Sequence, residues 1–316
     1  MSTSRWDVNK VPRMDGKTVV ITGSNSGIGL EAAKVLASRG AEVTLAVRNV
    51  EKGEQAKRSI LEESPGAMVS VSKLDLADLG SVKEFAENLL GSGRRLSVLI
   101  NNAGVMAVPY ARTVDGFEMQ FGTNHLGHFA LTGRLLPALL KTPEARVVVV
   151  SSMAHQSGKM DFDNLDGSKG YRRFGAYGQS KLANLLFAYE FQRRLEASGS
   201  TVRCMACHPG FAATNLTSTG FGGRRPWVGK FVGGVANAMA QSAAMGALPT
   251  LMAATEDALH GGEYVGPASR TGMRGYPAVA VSSKASRSQE DAERLWEISE
   301  RLTGVTYPFD GRVLSV

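Results

Sequence analysis

A phenol and an ammonium stand four residues apart in Tyr177-Gly178-Gln179-Ser180-Lys181. The surrounding run reads as helix through about residue 196. On a helix, positions i and i+4 share a face, so the hydroxyl and the lysine point into one space. A fixed positive charge nearby favours phenolate and lowers a tyrosine pKa from about 10. That pairing makes a proton donor usable near neutral pH. The same spacing also occurs on solvated helix faces, so it carries chemistry only where the rest of the chain builds a site around it.

The elements that must position the pair alternate. Residues 17–22 form a short apolar run ending in Gly23-Ser24-Asn25-Ser26-Gly27-Ile28-Gly29, and a helical pattern follows to Gly40. Strand, glycine turn and helix in that order make a pyrophosphate site, with free N–H groups at the helix N-terminus. The central residue of the first five is Asn25, so this is not a nucleophile elbow. A second strand, 42–47, ends in Val47-Arg48-Asn49. An NAD site would carry Asp or Glu there, whereas Arg48 suits a 2′-phosphate; a solvated arginine at a strand end is the alternative. A third strand, 68–74, leads to Asp75-Leu76, where the carboxylate either accepts from adenine or caps a helix. Strand 96–100 runs into Asn101-Asn102-Ala103-Gly104, small enough for close approach of a ligand.

A long helix is expected over 117–141, and it contains Asn124, His125 and His128. The two histidines lack a third metal ligand, so packing or hydrogen bonding is the reading, with no metal. Strand 145–150 ends in Ser151-Ser152, and strand 202–207 ends in His208-Pro209-Gly210. Cys204-Met205-Ala206-Cys207-His208 matches a haem-attachment spacing, but residues three apart on a strand face opposite sides, about 10 Å apart. A last short strand, 263–265, and a terminal helix, 288–302, complete a doubly wound, seven-stranded parallel sheet. Helices cover both faces of this Rossmann-type α/β fold, and one domain spans 1–316.

The chain has 316 residues, 43% of them hydrophobic and 21% charged, which suits a globular domain with a sizeable core. The net charge of +7 comes from scattered pairs such as Arg94-Arg95 and Arg172-Arg173, not from a basic tract. No nucleic-acid partner is expected. Residues 1–15 are polar, so no signal peptide is expected. The charge-free run 231–255 is rich in Gly and Ala and contains Pro249; it reads as a buried helix with a break, not as a membrane span. The expected compartment is the cytoplasm.

Five separated motifs in order give the chain a resemblance to the short-chain dehydrogenase/reductases, over roughly residues 16–267. They are the turn from Thr22 to Gly29, Asp75-Leu76, Asn101-Asn102-Ala103-Gly104, Ser152 with Tyr177 and Lys181, and Pro209-Gly210 with Thr214. Asn124-His125-Leu126-Gly127-His128 and Ser151-Ser152-Met153-Ala154-His155 look like the retinol-dehydrogenase-like branch, which includes the WW-domain oxidoreductase. Ser152 and Tyr177 lie 25 apart, a spacing similar to that branch. Ala212 departs from the larger aliphatic residue common after Pro-Gly.

The resemblance implies NADP(H) held by Gly23 to Gly29, Arg48, Asn49, Asp75, Leu76, Asn102, Ala103, Gly104, Tyr177, Lys181, Pro209, Gly210 and Thr214. It implies hydride transfer between an apolar alcohol and its carbonyl. Tyr177 exchanges the proton, Lys181 lowers its pKa and bonds the nicotinamide ribose, Ser152 bonds the substrate oxygen, and Asn124 holds a water. Ser152, His155, Phe221 and Trp227 are the expected substrate contacts, under a lid over about 216–255. A homodimer or homotetramer through the two long helices is implied. A protochlorophyllide-reductase-like enzyme and a non-catalytic nucleotide sensor are the alternatives.

Overall fold

Short runs of β-branched and aliphatic residues become strands wherever both faces can be covered. The computed structural model describes residues 5–211 and 241–309. Its strands are β1 (Thr18–Thr22), β2 (Glu42–Val47), β3 (Met68–Lys73), β4 (Val98–Asn101), β5 (Arg146–Val150), β6 (Arg203–Cys207), β7 (Tyr264–Pro267) and β8 (Pro277–Ala280). They form one sheet in the order β3-β2-β1-β4-β5-β6-β7-β8. The first seven run parallel, as expected. The eighth, antiparallel to β7 in the register Tyr264↔Ala280 to Pro267↔Pro277, exceeds the expected seven. It is four residues long and begins with a proline, which suits only a sheet edge.

The helices are α1 (Gly27–Ser38), α2 (Val50–Glu63), α3 (Leu79–Gly91), α4 (Gly127–Leu140), α5 (Arg173–Ala197), α6 (Ala243–Thr255) and α7 (Gln289–Thr303). Successive strand residues serve opposite cores. Val147, Val149 and Cys204 pack with α3, α4, α5 and α7, whereas Val148, Val150 and Cys207 pack with α1, α2 and α6. The cysteines thus sit on opposite faces as free thiols, and burial pushes the Cys207 thiol up to about 12. The expected helix 117–141 is subdivided. Met119–Phe121 leads into a π-helical turn over Gly122–Leu126 and then α4. Such turns often mark functional positions.

One expectation is corrected. The described part of the expected lid, α6, is a core helix: Ala247, Leu251, Ala253 and Ala254 are buried. Arg146 of β5 donates to the Glu256 carbonyl just past its end at 2.8 Å. The two long helices are largely buried within the chain itself. Tyr177, Leu182, Leu185, Phe187 and Phe191 are buried on α5, as is nearly all of α4. The cover is α7 and the segment after it. Trp296 packs on Phe129 (5.1 Å) and Tyr307 (4.5 Å), and Tyr307 donates to the Phe129 carbonyl at 2.7 Å. Among the described residues, no helix is long and apolar enough to cross a membrane.

Trp296→Ala should therefore lower the unfolding free energy by about 3–5 kcal/mol, the usual range for a buried large aromatic. Urea denaturation measures it. A loss under about 1 kcal/mol would mean that α7 is not part of the core.

Candidate active site

At the carboxyl end of β1, the Thr22 hydroxyl joins three elements. Oγ1 accepts from the backbone N–H of Asn102 and of Ala103, each at 2.9 Å. It lies 2.9 Å from His128 Nε2. His128 Nδ1 is 2.9 Å from the Asn124 carbonyl, which can only accept, so Nδ1 carries the proton and Nε2 accepts from Thr22. Burial pulls His128 down to about 4 and keeps it neutral. Sequence reasoning reached a hydrogen-bonding role for His128 but missed Thr22 as its partner.

The glycine turn is held against β4. Gly23 has φ +65° and a Cβ there would lie 2.8 Å from that of Ala103, so only glycine fits. A Cβ on Gly29 would sit 2.5 Å from Asn102 Nδ2, which donates to the Thr22 carbonyl at 2.8 Å. Ser24 donates to Ile21 at 2.8 Å and is fully buried, so its side chain shapes the turn. Ser26 is the N-cap of α1 but its side chain makes no capping bond. The turn therefore presents Asn25, Ser26, Gly27 and Ile28 at a helix N-terminus.

Arg48 is exposed at the end of β2, with no ion pair among the described residues. Two neighbours have structural duties. Asn49 caps α2, accepting from Lys52 N at 2.9 Å. Asp75 Oδ1 accepts from Ala77 N at 3.0 Å; the cap of α3 is Asp78, not Asp75. Leu76 is buried, and its carbonyl lies 2.4 Å from where a Gly127 Cβ would be.

The Tyr177/Lys181 pair is brought to the end of β5 by hydrogen bonds and close packing. Ser151 donates to the Lys181 carbonyl at 2.7 Å, and Lys181 Nζ donates to the Val150 carbonyl at 3.1 Å. A Cβ on Gly158 would lie 2.4 Å from the Gly178 carbonyl, so the turn after Ser152 rests directly on α5. Ser152 caps that turn, accepting from Ala154 N at 3.2 Å. Asn124 spends its side chain on the chain after β4: Oδ1 accepts from Val105 N at 2.8 Å, and Nδ2 donates to Val105 O and Ser180 Oγ, each at 2.9 Å. A Cβ on Gly104 would be 3.1 Å from Asn124 Oδ1 and 3.4 Å from Lys181 Nζ. Asn124 and Lys181 thus meet beside Gly104, with Tyr177 four residues before Lys181 on the same helix and the Ser152 hydroxyl beside the phenol.

The expected pKa relation is corrected. Burial pushes the Tyr177 phenol above its ordinary value, and the adjacent Ser152 hydroxyl, not Lys181, works the other way. Lys181 Nζ is 5.9 Å from the ring centroid. Its own pKa is pushed down by burial, to about 8. His155 is also corrected as a substrate contact. It is 1% exposed, and both ring nitrogens meet protein, Nδ1 the Ser152 carbonyl at 2.6 Å and Nε2 the Ser283 N–H at 3.2 Å. Thr214, Phe221 and Trp227 lie outside the described residues.

At the end of β6, Gly210 has φ +67°, and a Cβ would be 2.4 Å from the Met273 carbonyl. Gln241 fastens this turn. Its Nε2 donates to the Pro209 carbonyl at 2.6 Å and its N–H to the Phe211 carbonyl at 2.8 Å. Two cavities of about 500 and 400 Å³ lie elsewhere, one between α5 and the β7–β8 hairpin, the other between α7 and residues 116–121 and 162–168. Neither is lined by Ser152, Tyr177 or Lys181.

The short chain dehydrogenase family model matches residues 17–222, which span all the motifs up to Pro209-Gly210. The chain belongs to this family. Its retinol-dehydrogenase-like character is shown by mouse retinol dehydrogenase 12, which is 43% identical over 297 residues, covering 93% of this chain and 89% of that protein. A crystal structure of an uncharacterized protein from Mycobacterium paratuberculosis has a TM-score of 0.81 at 45% identity, over 96% of this chain and all of that one. A short chain dehydrogenase from Shigella flexneri, complexed with NADP, has a TM-score of 0.61 at 25% identity, over 81% of this chain and 98% of that one. As a short-chain dehydrogenase the chain is an oxidoreductase, and its candidate site contains a buried lysine, Lys181.

A lysine whose pKa falls from 10.5 to about 8 disfavours its own folded ammonium by roughly 3 kcal/mol. The unfolded chain then binds more protons across that window, so folded stability rises with pH from about 8 to 10.5. Lys181→Met should raise the melting temperature at pH 7, and the gain should shrink across the same window. A melting temperature that falls at pH 7 would show that the bond to Val150 outweighs the burial cost.

Proposed function

We propose that the chain is an NADP(H)-dependent oxidoreductase that interconverts an apolar alcohol and its carbonyl. The observation that carries this reading is the convergence at Gly104, where the absence of a side chain leaves Lys181 and Asn124 facing the strand end that also carries Ala103. The residues present fit a dinucleotide. Gly23 and Gly29 have no room for a Cβ, and the uncapped N-terminus of α1 offers N–H groups to a pyrophosphate. Arg48 is the group free to meet a 2′-phosphate. When bound, the cofactor supplies or accepts the hydride.

The chain's own residues handle the proton and the charge. Tyr177 is a neutral phenol at pH 7, as an ordinary tyrosine is, and burial pushes its pKa further up. It can therefore give its proton to a carbonyl oxygen that is gaining charge. Ser152 is placed beside it to donate to the same oxygen, a preorganised dipole aimed at developing charge. Lys181 is still mostly protonated at pH 7 and returns the phenolate to the neutral form more readily than water in a dry site would. An apolar substrate is supported by Phe174, 62% exposed one turn before Tyr177, and Phe211, 38% exposed after Gly210. The relatives' names point to retinol, itself an apolar alcohol.

Two outcomes test the reading. Tyr177→Phe should lower turnover of an apolar aldehyde by about 10²–10⁴-fold while NADPH binding survives. Activity within a few-fold of wild type would refute Tyr177 as the proton donor, whereas wild-type protein that binds NADPH and turns over no alcohol or carbonyl would favour a non-catalytic nucleotide sensor. Arg48→Glu should shift the NADPH-to-NADH preference by about tenfold to a hundredfold, as a charge-assisted bidentate contact is worth roughly 1.5–3 kcal/mol. Equal binding of NADH and NADPH by the wild type would exclude the 2′-phosphate role.

A further inference from the structure

Three aromatic rings stand in a row: His155 in the turn after β5, His208 just past β6 and Tyr264 at the start of β7. His155 meets the Tyr264 ring edge-on at 5.5 Å, and His208 stacks on it at 5.2 Å. All three are buried. Their hydrogen bonds fix each ring's proton. The Ser283 N–H can only donate, so His155 Nε2 is bare and Nδ1–H donates to the Ser152 carbonyl. Tyr264 Oη is 3.5 Å from that nitrogen, too far to compete. His208 Nδ1 accepts from Gly210 N at 3.2 Å. A Cβ on Gly266 would lie 2.1 Å from His208 Nε2, so the glycine leaves the space that His208 fills. Burial pulls both histidines below their ordinary value, His208 to about 4, in keeping with single-proton rings.

We propose that His155 is a positioning residue for Ser152: wedged between Tyr264 and the Ser283 N–H, it holds the Ser152 backbone by its carbonyl and so aims the hydroxyl at the substrate oxygen. The proposal rests on the reading of Ser152 given above. The hold is short and has no slack. Its 2.6 Å bond ends on the same residue whose hydroxyl must act, and its far side is closed by Tyr264 and His208. The anchor at Ser283 comes from the chain just past β8. The strand that exceeds the expected seven therefore has a mechanical task, to carry Ser283 to the back of the site.

The test is a double-mutant cycle with NADPH and an apolar aldehyde. His155→Phe keeps the ring contact with Tyr264 and loses both hydrogen bonds. His155→Asn keeps a donor near the Nδ1 position. His155→Phe should lower kcat by about tenfold to a hundredfold, the scale of a misplaced group, with KM values within about twofold. In a Ser152→Ala background it should cost less than about threefold more, because nothing remains to be aimed. His155→Asn should keep kcat within about threefold of wild type. An equal loss in both backgrounds, or equal damage by Asn and Phe, overturns the proposal in favour of a purely structural histidine. If His155→Phe does not fold, His155→Asn is compared with His155→Gln, which reaches towards Ser283 instead; equal kcat values overturn it. Loss in Ser152→Ala with an inert His155→Phe overturns the positioning role alone. An inert Ser152→Ala overturns the reading of Ser152 and this proposal with it.

Discussion

A lysine ammonium placed in a dry interior must be met by oxygen, and this constraint shapes the catalytic end of the molecule. Lys181 is 4% exposed, and its ammonium ends on the carbonyl of Val150, the last residue of β5. Asn184 donates to the same carbonyl at 3.3 Å, and Ser151 returns a bond to the Lys181 backbone. The end of a central strand is thereby fastened to the middle of α5. For the lysine to stay dry, α5 must be covered on its outer side as well, and Trp296 and Tyr307 provide that cover. The cost of burying the charge is thus carried by a long aromatic contact far from the chemistry.

The second organising contact is uncharged. Thr22 accepts from two backbone N–H groups at the end of β4 and donates its own hydroxyl hydrogen bond to His128, which donates to the Asn124 carbonyl. A single hydroxyl thereby relates the glycine turn, the strand end carrying Gly104 and the π-helical turn carrying Asn124. Gly23, Gly29 and Gly127 matter here because each lets backbone come closer than a Cβ would permit. Hydrogen bonds of this kind contribute little each, about 1 kcal/mol, but an unmade one in a buried network costs more, so the set holds one geometry.

Much of this was legible in the sequence where the signal is local. The glycine turn between a strand and a helix, and the tyrosine and lysine on one helix face, need only a few residues to be read. Other roles were not separable. Asn49 and Asp75 look the same in sequence whether they meet a nucleotide or bond the backbone nearby, and the structure shows both bonding nearby N–H groups. His155 stands beside Ser152 in the chain, but its partners Tyr264 and Ser283 are more than a hundred residues away. β8 has four residues and an exposed edge, with too little periodicity to announce itself. The direction of the Tyr177 shift was misread because the nearest charge is visible in a sequence and the depth of burial is not. The charge-free run was read as buried helix, which α6 is; the lid boundary simply ran too far into it.

The bond from Gln241 N–H to the Phe211 carbonyl joins two residues thirty apart in the chain, on the rim of the candidate site. Entropy of loop closure grows slowly with length, about 0.6 kcal/mol for each doubling. Joining these two anchors therefore costs little more for a longer connection than for a shorter one. The stitch fixes where both anchors sit, so the turn after β6 keeps its place beside the end of β5 whatever length of chain joins them.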